Sequence, residues 1–120
     1  TYNTETSNPS NLRCLSNGLF KTYYSTQRVK DNIADLEVDS ALIYKLRPVS
    51  FNSKCKDDDK QRRFIGLVAE EVEAVLPEAA DYNEDGEIIN YSSPAIITLM
   101  LAETQKHEAR IKALEERLNN

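Results

Sequence analysis

The chain has 120 residues, of which 40% are hydrophobic and 29% charged, with a mean hydropathy of -0.57. That length holds one domain of ~100–150 residues, and the composition is wetter than the ~45–50% apolar norm, so the core is small and support from further copies is expected. Twenty acidic against 15 basic residues give a net charge of -5, which argues against nucleic acid as a partner. No apolar run reaches the ~18 residues of a membrane span, so no membrane partner is expected.

Opening on Thr1 and showing no targeting segment, the chain is expected to be part of a longer product. Cys14 and Cys55 have neither metal spacing nor companion ligands; a reducing compartment, and no metal or cofactor, is the expectation. Residues 1–10 are polar, contain Asn8-Pro9, and read as a linker or frayed end. Asn11–Leu15 and Leu19–Tyr24 flank Asn17-Gly18 and predict a hairpin. Ser25–Lys30 leaves it as a polar stretch, and Asp31–Asp35 has the composition of a helix start.

Asp39-Ser40 can cap a short helix over Ala41–Arg47, which Pro48 stops. Val49–Lys54 alternates apolar and polar residues as a half-buried strand does. Lys56–Lys60 is a charged, solvated turn. Arg63–Val68 predicts a strand or extended entry, and Ala69–Leu76 a helix ended by Pro77. Asp81–Glu87 is a turn with Asp85-Gly86, followed by the strand Ile88–Tyr91.

Ser92 or Ser93 caps the last helix, with Pro94 at its first turn, and no glycine or proline interrupts it to Leu118. Ile97, Thr104, Ile111 and Leu118 recur every seven residues, with Met100, His107 and Leu114 at the complementary positions. This is a three-heptad coiled-coil seam with polar layers at Thr104 and His107. Glu103, Glu108, Arg110, Lys112, Glu115, Glu116 and Arg117 are expected to cover the solvent side. The helix is expected to self-associate.

The chemistry-bearing residues have ordinary explanations beside them. Asp81-x-Asn83-x-Asp85-Gly86 imitates the start of a calcium loop, but Ser92 stands where the bidentate Glu belongs and a strand follows. An Asp-Gly turn accounts for the same letters. Glu70, Glu71 and Glu73 are neighbours on one helix and point apart, unlike carboxylates facing each other across a ~5–9 Å cleft. His107 reads as a register-fixing polar layer. With three glycines in all, no phosphate-cradling loop can be drawn. Ser25 and Lys30 are a candidate pair: a lysine can deprotonate a serine if its pKa falls from ~10.4 toward ~7–8, as burial achieves. Their spacing alone is equally that of a solvated surface.

Taken in order, Ser25-x-x-x-x-Lys30-x-Asn32-Ile33, Leu46–Phe51, Ile65–Glu73, Leu76-Pro77-Glu78, Asp85-Gly86 and Ile89–Ser92 form an ordered set, followed by the terminal coil. The set resembles the C-terminal intramolecular chaperone domain of phage endosialidases, tail spikes and tail fibres, over residues 11–118. The resemblance implies an α+β fold of short hairpins and small helices beside a long C-terminal helix (about residues 94–118) that forms a homotrimeric coiled coil. Residues 1–24 would be the end of a β-rich fibre and 25–120 its chaperone.

By the same resemblance the chaperone brings three chains into register and is then released by its own serine–lysine dyad. Ser25 is the implied nucleophile and Lys30 the general base, acting once in cis. The scissile bond is Tyr24–Ser25 or, alternatively, Ser25–Thr26. Its partners would be two further copies and the fibre part of its own chain. Its place would be the host cytoplasm during virion assembly, with release from the mature fibre. The sequence departs from the family at Thr26, where Asp is usual, and at Glu70, where Gln is common. The alternative reading is a non-cleaving trimerisation module of a structural fibre protein.

Overall fold

A computed structural model describes residues 12–14, 17–22 and 24–120, which divide into two units between Glu37 and Val38. The expected linker over residues 1–10 lies outside the described residues. In the first unit, strands β1 (Leu12–Cys14) and β2 (Phe20–Thr22) pair antiparallel, with Arg13 opposite Lys21. The turn between them uses Gly18 at φ 85° and the Asn17 side chain, whose oxygen accepts from the Leu19 N–H at 3.1 Å. Only glycine enters that left-handed region without strain, so the Asn-Gly pair has a mechanical role here.

The polar stretch after the hairpin closes into one 3₁₀ turn, Gln27–Val29. The helix start expected at Asp31–Asp35 is not formed. The Asp31 carboxylate accepts from the N–H of Asn32 at 2.9 Å, and Asn32 is left-handed at φ 52°. A side chain that takes up a neighbouring backbone donor competes with helix formation, and a left-handed residue ends any right-handed turn.

The second unit opens on a 3₁₀ helix, Ser40–Lys45, rather than the longer helix expected to Arg47; Asp39 caps it by accepting from the Ala41 N–H at 3.0 Å. Strands β3 (Val49–Asn52) and β4 (Arg63–Gly66) form an antiparallel hairpin. The half-buried alternation expected of β3 fails, because only Val49 is partly covered and Phe51 is 40% exposed. Phe51 instead stacks on Phe64 across the hairpin, with ring centroids 5.7 Å apart. Arg62 lies over the Phe64 ring at 4.6 Å.

Helix α1 (Ala69–Val75) carries Glu70 and Glu71 in its first turn, where acidic groups suit the helix dipole. Pro77 ends it and begins a 3₁₀ turn, Pro77–Ala79. Strand β5 (Ala80–Tyr82), absent from the sequence reading, pairs antiparallel with β6 (Ile88–Tyr91), with a register shift at Asp81/Tyr82. Helix α2 (Ser93–Leu118) follows; Ser92 caps it through the Ala95 N–H at 3.2 Å. Its 26 residues make a rod about 39 Å long.

The core sits where α1, the turn after it and the start of α2 meet. Val72, Leu76, Ala79 and Leu99 are its fully buried apolar residues, surrounded by partly covered Leu42, Leu46, Leu67, Tyr91 and Ile96. Four such residues make a small core, in keeping with the composition. The described residues are α+β, with small hairpins, short helices and a long C-terminal helix.

Candidate functional site

Ser25 and Lys30 flank the 3₁₀ turn Gln27–Val29. Two backbone bonds close it: the Val29 N–H to the Thr26 carbonyl at 3.1 Å and the Lys30 N–H to the Gln27 carbonyl at 3.2 Å. Among the described residues no hydrogen bond joins the two side chains, and both residues are exposed. Arg28 donates from Nε to the Thr26 hydroxyl at 3.3 Å, which holds the residue next to the serine. Tyr24, Arg28 and Val29 line a shallow open pocket of about 330 Å³, with Tyr24 and Val29 both more than half exposed.

The long helix presents two different faces. Toward its own body it buries Leu99 and Glu103 and partly covers Ala95, Ile96 and Ala102. Roughly a third of a turn away, by the 3.6-residue period, lies the predicted seam. Ile97 is 63% exposed, Met100 52%, Ile111 50%, Leu114 55% and Leu118 85%. Thr104 is exposed on the same line, with its hydroxyl returned to the Met100 carbonyl at 2.8 Å. From Thr104 onward every residue of α2 is exposed.

Glu103 was expected on the solvent face and is instead 2% exposed. Its carboxylate accepts from the Ser40 hydroxyl at 2.9 Å. Nε2 of His107 lies 3.5 Å from the other oxygen, and the Tyr44 hydroxyl meets the same Nε2. Desolvation pushes the Glu103 carboxyl upward, but the hydrogen bonds from Ser40 and Tyr44 and the charges of His107 and Lys106 more than offset it, and its pKa is lowered. Burial, then the Glu103 carboxylate, raises the pKa of Tyr44. His107 thus stands at the border between seam and body, tied to its own chain. The signal for this cluster in the sequence is the four-residue spacing of Glu103 and His107 on one helix face.

The other charged candidates disperse. Glu71 forms a bidentate pair with Arg47, at 2.9 Å to Nε and 2.6 Å to Nη2, which holds its carboxyl below the ordinary range. Glu73 accepts from the Tyr82 hydroxyl, and Glu70 is exposed. The calcium-like loop is a turn whose Asn83 oxygen accepts from the N–H groups of Asp85 and Glu87, with Gly86 at φ 81°.

Residues 25–81 match a family model named for a peptidase and described as the chaperone of endosialidase. The match supports the resemblance carried by the ordered motifs over residues 25–81. No curated protein matches the chain.

Proposed function

We propose that this chain is the C-terminal intramolecular chaperone of a phage tail spike or tail fibre, that it assembles as a homotrimer through α2, and that it releases itself beside Ser25. The observation that carries this is the start of the family match at Ser25, the residue at which the released chaperone would begin. The exposed apolar line from Ile97 to Leu118 supplies a surface for self-association.

In the proposed reaction Lys30, as the neutral amine, takes the proton of the Ser25 hydroxyl. The freed oxygen attacks the Tyr24 carbonyl carbon; an ester forms as the Tyr24–Ser25 amide bond breaks, and the proton passes to the liberated amine. Water then hydrolyses the ester, leaving a carboxylate on Tyr24 and an N-terminal Ser25. A lysine becomes a base when it is desolvated, and among the described residues Lys30, Tyr24 and Val29 are all exposed. A neighbouring copy is the natural cover, so that cleavage follows assembly.

Such coupling suits a β-rich fibre, whose non-local pairing is slow and exposed to aggregation. A coil that joins three chains early raises the effective concentration of the strands attached to it. Removing it afterwards leaves the fibre held by its unfolding barrier. The proposed setting is the host cytoplasm during virion assembly. The test is Ile111→Asp in the coil: loss of association together with loss of cleavage supports the coupling, whereas a monomeric variant that cleaves at the wild-type rate contradicts it.

A further inference from the structure

Ester formation at Tyr24 places a demand on the chain beyond a nucleophile and a base. As the Ser25 oxygen adds to the Tyr24 carbonyl carbon, the carbonyl electron pair moves onto its oxygen. That negative charge is stabilised best by a donor already held in place. The turn's own amides are partly spent: the Val29 N–H is bonded to the Thr26 carbonyl and the Lys30 N–H to the Gln27 carbonyl.

Arg28 stands where a donor is wanted. It follows Tyr24 through the 3₁₀ turn Gln27–Val29, and the two line one open pocket of about 330 Å³ with Val29. Its guanidinium is anchored at one edge, where Nε donates to the Thr26 hydroxyl at 3.3 Å. Among the described residues its Nη groups have no hydrogen-bond partner, and no carboxylate pairs with it. A guanidinium so held is a planar fork with one edge fixed and its other donors unspent, and it stays charged at any pH where a lysine acts as a base. The Thr26 hydroxyl anchors Nε without cancelling the positive charge, as a carboxylate there would do.

We infer that Arg28 is a third catalytic residue of the self-release, its Nη groups taking the charge that develops on the Tyr24 carbonyl oxygen while Thr26 holds its Nε. This rests on the serine–lysine cleavage proposed above and adds the group that stabilises its transition state. Collapse of the adduct returns the electron pair to the carbonyl and breaks the bond to the Ser25 nitrogen, which takes the proton carried by Lys30. The same fork meets the oxyanion again when water attacks the ester. Thr26 acts through Arg28 and is a positioning residue.

The experiment is self-cleavage of the 120-residue chain, which spans the Tyr24–Ser25 bond, started by dilution from urea and followed by intact mass over a range of pH. Arg28→Ala is expected to slow cleavage by about 10²–10³-fold, the loss typical of one oxyanion donor, with the midpoint of the pH profile unmoved and association intact by sedimentation. Arg28→Lys, which keeps the charge without the fork, is expected to recover part of the loss, as is guanidinium ion added to Arg28→Ala. Thr26→Val is expected to slow cleavage by about tenfold through a looser fork. An Arg28→Ala chain that cleaves at the wild-type rate overturns the assignment alone. So does one that fails to associate, shifts its pH midpoint or is left unrestored by guanidinium ion, since each marks a role other than charge stabilisation. A wild-type chain that stays whole, or a Ser25→Ala chain that still cleaves, overturns the serine–lysine reading itself and Arg28 with it.

Discussion

The Ser40 hydroxyl donates to the buried carboxylate of Glu103 at 2.9 Å, across 63 positions of sequence, and so fastens the 3₁₀ helix at the start of the second unit to the middle of α2. Tyr44 and His107, one turn further along each element, add a second fastening beside it. A charge this buried is tolerated only with such partners. The exposed second half of α2 begins where this contact ends.

Removing the donor tests that contact. Ser40→Ala leaves the Glu103 carboxylate without the hydrogen bond from Ser40, and the expected result is a fall in Tm of about 5 °C. Ser40→Thr, which keeps the hydroxyl, is expected to lose less. Thermal unfolding followed by circular dichroism measures both.

The same carboxylate makes stability depend on acid. Its folded pKa is lowered from the ordinary value of 4.5, so it contributes stability above that value and loses it as pH falls through the folded value. Denaturant midpoints are therefore expected to drop as the buffer is taken below about pH 4.5, and to drop less in Glu103→Gln. An identical acid limb in that variant would remove Glu103 as a source of the effect.

Leu99 is 3% exposed and belongs to the core cluster with Val72, Leu76 and Ala79. Leu99→Ala is expected to cost about 2–5 kcal/mol of unfolding free energy through lost burial and the cavity left behind. For a unit with four fully buried apolar residues that is a large fraction of the total. Urea denaturation checks it, and a cost under 1 kcal/mol would mean that the helix does not depend on this contact.

Elements defined by local chemistry were legible in the sequence. Asn17-Gly18, Pro77, Asp85-Gly86 and the Ser92-to-Leu118 helix each act through a φ preference, a missing donor or a period, and each stands where it was expected. The failures were of tertiary or competing local origin. Asp31–Asp35 has helix-start residues, but the Asp31 side chain takes the N–H of Asn32 for itself. Phe51 pairs with Phe64 where alternation predicted burial.

Glu103 shows the limit most clearly. On the helix it occupies a flanking heptad position and reads as a solvent charge; only Ser40, 63 residues earlier, makes its burial tolerable. Ser25 and Lys30 are singled out only by their place in the ordered motifs; a short turn separates them and both are exposed. Their approach belongs to the proposed assembly, which sequence periodicity indicates only through the apolar line on α2.

Self-release beside Ser25 is the central claim, and intact mass on a longer version of the chain tests it most directly, with the wild type beside Ser25→Ala and Lys30→Ala. The expected result is a wild type that yields a fragment beginning at Ser25 while both variants stay whole. Three whole proteins that still associate would contradict it and leave an assembly module that does not cleave.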